Sequence, residues 1–327
     1  MILRSASTCS RPSLWAVGAL AALAVAAIPV AALLAQPGAA PFTIAENGQG
    51  FAELQDAVDA IGTGSGTILF APGTYNQCAV QEAGRITYRA RELGTATLAG
   101  RACEDKAALV LDGEAATVIG LVFAEISVPD RNGAGIRLQR GELAVTQSWF
   151  RDSEQGILTH AGDDIRLRVD KSTFTRLGTC EGDGGCAHSI YTGTIAETAV
   201  TRSRFEQGTG GHYLKSRAAR TVVEDSSFDD AGGRATNYMI DLPNGGSGTI
   251  AGNWFVQGRD KENWSAFIAV GAEGAEFSSD GLTIAGNDAR LVPDLRRNTA
   301  FVADWTGDSL QLQSNTLGAG LREFERR

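Results

Sequence analysis

The chain has 327 residues, 43% of them hydrophobic and 20% charged, which is enough to bury a core in one large domain or two small ones and excludes disorder as the default. A net charge of −9 excludes general binding to nucleic acid, because no basic surplus exists to displace counterions from a phosphate backbone. Forty glycines without a collagen period, with aromatics at 7%, suit a fold of many short strands and turns.

Residues 1–40 read as a targeting segment, with Arg4 and Arg11 ahead of an apolar run from Leu14 to Leu34 that ends in AQPGAAP. The expectation is an exported protein, periplasmic or secreted, with a cleaved signal peptide. An uncleaved N-terminal anchor is the alternative, since the run is about as long as the ~20 residues that span a bilayer. No other membrane contact is expected. Cys9 precedes the run and is not placed like a lipoprotein cysteine.

Residues 41–327 are expected to form one domain, opened at 41–75 by a helix and a first strand. FAELQDAVDAI puts Phe51, Leu54, Val58 and Ile61 on one helical face, and GTILFAPGTY follows as a strand and a turn. Cys78, Cys103, Cys180 and Cys186 are an even number in an exported chain, which favours disulfides, expected as Cys78 with Cys103 and Cys180 with Cys186.

A repeat then occupies most of the chain: VTQSWF, VDKSTF, VTRSRF, VEDSSF and IAGNWF, with phenylalanines at positions 150, 174, 205, 228 and 255 and an earlier match at Phe123. Between these lies a second series of short apolar segments: AGIRLQ, GILTH, SIYTG, YLKSR, MIDLP, AFIAV and AFVAD. Each repeat therefore holds at least two strands and has no room for a helix. Units of this kind cannot bury themselves singly, so the expected fold is all-β, a parallel β-helix (solenoid). The N-terminal helix would cover its first coil, and the charged tail LREFERR would cover its last.

The cap helix followed by GTILFAPGTY, together with the S-x-F or GN-x-F ladder, resembles the right-handed parallel β-helix proteins of the pectate-lyase-like superfamily over nearly all of the mature chain. The strings HSIYTG, GHYLKSR, IDLPNGG, GNWFVQG and GAEG are similar to a group of exported bacterial β-helix proteins of unassigned substrate. The superfamily resemblance implies extracellular or periplasmic carbohydrate chemistry, by lyases or hydrolases acting on acidic glycans. Calcium assists many relatives of that fold, so calcium is a possible cofactor here.

Alternation along the second series stacks Ile136, Ile157, Ile190, Leu214 and Ile240 inside the solenoid. Arg137, Leu158, Tyr191, Lys215 and Asp241 then form one outward column, and Gln139, His160, Gly193, Arg217 and Pro243 a second. A chain with only four lysines thus sets Lys215 between Tyr191 and Asp241 on successive coils, beside Arg217. The chain's three histidines, His160, His188 and His212, fall in or next to these coils. His188 and His212 share the parity of the inward residues, which also suits a turn or core role. Read structurally, Lys215 and Asp241 are a cross-strand ion pair worth about 0.2–1 kcal/mol.

Read chemically, the column suits β-elimination next to a uronate, which needs a base, a cation for the carboxylate and an acid for the leaving oxygen. An adjacent arginine moves a lysine towards useful base strength, so Lys215 is the expected base. Arg217 would neutralise the carboxylate, and Tyr191 or His212 would protonate the leaving group, with His188 and Asp241 completing the catalytic set. Arg137, His160, Asn244 and Asn263 are expected to contact the polysaccharide. If calcium binds, its ligands would be Asp241 with Glu262 or Asn263. The expected state is a monomer.

Two other readings make different demands. A glycoside hydrolase needs two carboxylates, Asp241 with Glu181, Asp183, Asp229 or Asp230. A non-catalytic glycan-binding or envelope scaffold protein would stack sugars on exposed Trp254, Trp264 and Tyr213, although aromatics following GN in such a repeat are more often core.

Overall fold

The structure, a computed structural model, describes residues 40–181 and 185–327. The targeting segment and Asp183 lie outside the described residues, and no described helix is long and apolar enough to cross a membrane. From strand Ser65–Phe70 onward the described strands wind as a right-handed parallel β-helix, and Phe42–Ile44 pairs antiparallel along its first strand, the hand being the one favoured for parallel crossovers. Its three sheets contain twelve, ten and ten strands, visited in the same order on successive coils. Each coil thus carries three strands where the sequence reading counted at least two. VTQSWF, read as one unit, breaks into Glu142–Thr146 of the first sheet and Trp149–Ser153 of the second.

The break has a local cause. Gln147, Lys171, Arg202 and Asp225 occupy equivalent positions on successive coils with φ between 47° and 50°, and Gly252 and Gly286 take over the same place further on. This left-handed residue turns the chain from the first sheet into the second, where non-glycine residues are uncommon. The small polar residue after it holds the corner. The amide of Ser148 donates to Ser172 Oγ (3.2 Å), Ser172 to Ser203 Oγ (3.1 Å), Ser203 to Ser226 Oγ (3.0 Å) and Ser226 to Asn253 Oδ1 (2.9 Å). Asn253 and Asn287 continue the series to Asn287 Oδ1 and Asn315 Oδ1 at 3.0 and 3.1 Å. Each serine hydroxyl spends its proton on the carbonyl two residues back, as Ser203 does on Thr201 at 2.8 Å.

Two residues past the ladder comes the phenylalanine. Phe123, Phe150, Phe174, Phe205, Phe228 and Phe255 pair in register across the second sheet. Their rings stack nearly parallel with centroids 4.7–5.0 Å apart, the separation of neighbouring strands. The third sheet faces them with Ile136, Ile157, Ile190, Leu214 and Ile240, all fully buried and in the expected register. The two disulfides form between Cys78 and Cys103 and between Cys180 and Cys186, as expected.

The first coil is covered by helix Leu54–Ile61, whose Leu54, Ala57 and Val58 are buried, with Phe51 and Ile61 packed at the edge. The other end differs from expectation. LREFERR does not fold over the last coil: Leu321–Arg326 is itself the terminal strand of the third sheet, paired with Thr299–Asp304. Its exposed arginines and glutamates discourage pairing with another chain.

Replacing Ser203 by alanine leaves the Ser172 amide buried without its acceptor, and should lower the unfolding free energy by about 1–3 kcal/mol. Phe205→Ala should cost more, about 3–5 kcal/mol. Urea denaturation of both variants tests the order; a neutral Ser203→Ala would show that the ladder adds no stability.

Candidate active site

The outward column is positioned by three short strands of the third sheet, Ile190–Thr192, Leu214–Ser216 and Ile240–Leu242. Their register sets Tyr191 beside Lys215 and Lys215 beside Asp241. Loops partly cover the column, so it is far less open than an outward strand position suggests: Asp241 and Lys215 are only 3% and 9% exposed.

Lys215 Nζ lies 3.5 Å from Asp241 Oδ2 and 2.5 Å from Glu273 Oε1. Arg217 pairs through Nη2 with Glu273 Oε2, donates from Nη1 to Asn244 Oδ1 and from Nε to the Tyr191 hydroxyl at 3.1 Å. Asn244 in turn donates to Glu276. Both cations also sit by the Tyr191 ring, at 5.7 and 5.8 Å from its centroid, within cation–π range.

The histidines are buried in turns, as the turn or core role allowed, and their rings border this group. The alternation stops where the strands begin, at Ile190 and Leu214, so His188 and His212 occupy the preceding turns and parity does not apply to them. His188 stands edge-on to Tyr191, its ring centroid 4.9 Å from that of His212. His188 Nδ1 accepts the His212 amide at 2.9 Å. His212 stacks on Tyr238 and directs Nε2 at Asp241 Oδ2, 3.4 Å away. His212 Nδ1 and Asp241 Oδ1 are buried without a hydrogen-bond partner among the described residues. Such orphaned atoms are costly in a purely structural cluster.

Burial dominates the proton affinities. It lowers His188 to about 3, helped by the nearby Lys215 charge, and lowers His212 well below the usual imidazole range, with His188 and Lys215 adding to it. Both rings are therefore neutral at neutral pH. Burial raises Asp241 to about 6, against the pull of Lys215. Burial would raise Glu273 as well, but the hydrogen bonds from Lys215 and Arg217 outweigh it and hold that carboxyl below its ordinary value. Two carboxyl groups on one lysine are thus pushed in opposite directions.

Of the other expected residues, Asn244 belongs to the site through Arg217. Arg137 lies on the same column beyond Leu158, in a cleft with Asp105, Lys106, Asp130 and Asn132. His160 is exposed at the end of the neighbouring strand. Asn263 turns inward to cap the Ser265 amide, and Glu262 accepts from Asn237 and lies against the Cys180–Cys186 disulfide. Neither bonds to Asp241, whose Oδ2 faces the Lys215 ammonium, so these residues do not assemble into a calcium site.

The carboxylates offered for hydrolysis are likewise placed elsewhere. Asp230 is fully buried and structural, accepting from Tyr213, Thr236 and Gly258 and pairing with the buried Lys261 at 3.2 Å. Asp229 caps Ala231, and Glu181 pairs with Arg131. Tyr213 is therefore core, not a sugar platform. Trp254, following GN, is 41% exposed and not core, because it alternates with Phe255; Trp264 is also exposed. Sequence reading missed Tyr238 and Glu273. The available signal for Glu273 was GAEG, an acidic residue isolated in a glycine turn, together with two outward cations opposed by a single aspartate.

No family model matches the chain, and no curated protein does. Among solved structures it is similar to ORF18 of Geobacillus virus E2, at 13% identity and a TM-score of 0.42, over 83% of this chain and 56% of that one. A mannuronic acid specific polysaccharide family 6 lyase from human gut microbiota is similar at 14% identity and 0.39, over 81% and 82%. An alginate lyase of the same family is similar at 12% and 0.35, over 80% and 50%. The chain thus spans about half the length of the first and third. At this distance the likenesses bear on neither substrate nor residue roles.

The histidines make stability sensitive to acid. His188 takes a proton in the unfolded chain near pH 6.5 but in the fold only near 3, so its contribution is complete above pH 6.5 and is lost as pH falls towards 3. Asp241 acts oppositely, since its proton is held more tightly in the fold and its contribution grows as pH falls from 6 to 3.8. Denaturation midpoints between pH 7 and about 4 should therefore fall less for His188→Gln than for the native protein, and more for Asp241→Asn. Equal slopes in all three would contradict the assignment.

Proposed function

We propose that the protein is a polysaccharide lyase that cleaves an acidic, uronate-containing glycan by β-elimination. The observation that carries this reading is the convergence of Lys215, Arg217 and Tyr191 at one point of the column, backed by neutral histidines. Arg217 binds and neutralises the uronate carboxylate, with Asn244 fixing the guanidinium plane. The Lys215 ammonium first passes its proton to Asp241 Oδ2, 3.5 Å away, and the neutral amine then takes the C5 proton; the electrons of that C–H bond form the C4–C5 double bond, and the C4–O bond breaks. The leaving oxygen receives its proton from Tyr191, which is better placed than His212: the tyrosine is half-buried and accepts from Arg217, leaving its own O–H free among the described residues. His212, neutral and turned to Asp241, is a positioning residue, as is His188. Arg137 extends the track for the polymer, three coils before Lys215 and roughly 14 Å from it at ~4.8 Å per coil. No step requires calcium at Asp241.

A second reading is favoured by one observation. Asp241 and Glu273 both contact Lys215, which puts the nearest oxygens within about 6 Å of each other, and their proton affinities are pushed apart as in a glycosidase acid and nucleophile pair. The near-complete burial of Asp241 weighs against it.

Incubation with a panel of uronate polysaccharides should produce the near-ultraviolet absorbance of an unsaturated product, and Lys215→Ala should lower that rate by about 10²–10⁴-fold with the fold intact. New reducing ends without that absorbance, lost in Asp241→Asn, would establish hydrolysis instead. Undiminished elimination by Lys215→Ala would remove the lysine from the base role.

A further inference from the structure

Glu273 has an unusual place for a residue of an exposed turn. It follows strand Ala266–Val270 in the segment 271–276, where Gly271 and Gly274 have φ of 74° and 134° and residues 272–276 are exposed. Yet its carboxylate reaches back more than fifty residues to the centre of the column. One oxygen is taken by Lys215 and the other by Arg217. The side chain is 44% exposed, whereas those of Lys215 and Arg217 are 11% and 22% exposed. The carboxylate thus lies over the two cations, on their solvent side.

The cations are prepared independently of it. Arg217 is fixed by Tyr191 and Asn244, and Lys215 by its strand and Asp241. They form a two-cation receptor for a planar carboxylate, and the chain itself shows it in use. We infer that Glu273 is an internal placeholder, occupying the site of a uronate carboxylate and leaving when the substrate enters. This rests on the proposed reading of Arg217 as the residue that binds the uronate carboxylate, with Lys215 as its second, protonated contact until it yields its proton to Asp241 and acts as base. Asp241 is one carboxylate against two cations, Lys215 and Arg217, so the closed form keeps Glu273 over the pair and the open form takes an external anion in its place. A partly exposed ion pair contributes little, so an incoming carboxylate can displace it. The turn is held at its base by the amides of Gly271 to Leu242, Glu273 to Pro243, Gly274 to Gly271 and Phe277 to Asn244 and by Asn244 on Glu276, so it is the Glu273 side chain that swings away while the turn stays. Neutral glycans, which bring no anion, would not open the site.

The test is binding of sodium glucuronate, a uronate monosaccharide, followed by thermal shift and calorimetry against equal concentrations of glucose and sodium chloride. Glu273→Ala should bind glucuronate at least ten-fold more tightly than the native chain, and the gain should vanish in Glu273→Ala combined with Arg217→Ala. Glu273→Gln, which keeps shape and removes charge, should show the same direction and serves if the alanine variant folds poorly. Equal or weaker binding in both single variants, or no response in any protein, would overturn the placeholder. Because binding is read without turnover, tighter binding with no elimination product would leave the placeholder standing while the lyase reading fails. Elimination by the native chain without tighter binding in the variants would do the reverse.

Discussion

The fold depends on one requirement, that each coil lie squarely on the one before it at the strand spacing. Parallel sheets alone fix this loosely, because a strand can slide by two residues and still keep its apolar face inside. The corner removes that freedom. A left-handed residue followed by a serine or asparagine whose side chain accepts the previous coil's amide permits one register only, since a slip would bury an unsatisfied amide at every step. The phenylalanine stack, two residues later, inherits that register and adds the largest apolar burial in the coil.

The same registration brings the charged column together. Tyr191, Lys215 and Asp241 are neighbours because Ile190, Leu214 and Ile240 are, and no loop closure is spent on aligning them. What is specific to this region is the loops that close over the column. Asp230, which accepts from Tyr213 and Thr236, and Lys261, which pairs with it and donates to the Asn237 carbonyl, have fully buried side chains and anchor the segment that carries Tyr238 onto His212. A buried ion pair of this kind contributes little net stability, yet breaking it would release the segment.

How far the sequence disclosed this follows from period. Alternation and the phenylalanine spacing made the coils, the inward stack and the Tyr191, Lys215 and Asp241 column legible, because those are strand properties. Features outside the strands were not. His188 and His212 are buried in turns, a role their parity allowed without saying what the rings would face, and Asp230 reads as a candidate hydrolase carboxylate because Tyr213, Gly258 and Lys261, which help hold it inside, are distant in sequence. Glu273 could not be placed because its side chain reaches back two coils, past Asp241 to Lys215 and Arg217, and a single sequence does not record which coil a loop residue visits. Of the two residues after buried Lys261, Asn263 is taken up by a local cap on Ser265 and Glu262 by Asn237 of the preceding coil.

The serine and asparagine ladder has a bearing on how the molecule comes apart. In a stack where each coil touches only its neighbours, melting starts at the two exposed ends and advances coil by coil. The bonds run from Ser148 to Asn315, and the strands carrying Tyr191, Lys215 and Asp241 lie well inside that span. Fraying at either terminus therefore has several registered coils to consume before it reaches the reactive column, so the site should survive partial unfolding that already erases the helix cap and the charged last strand.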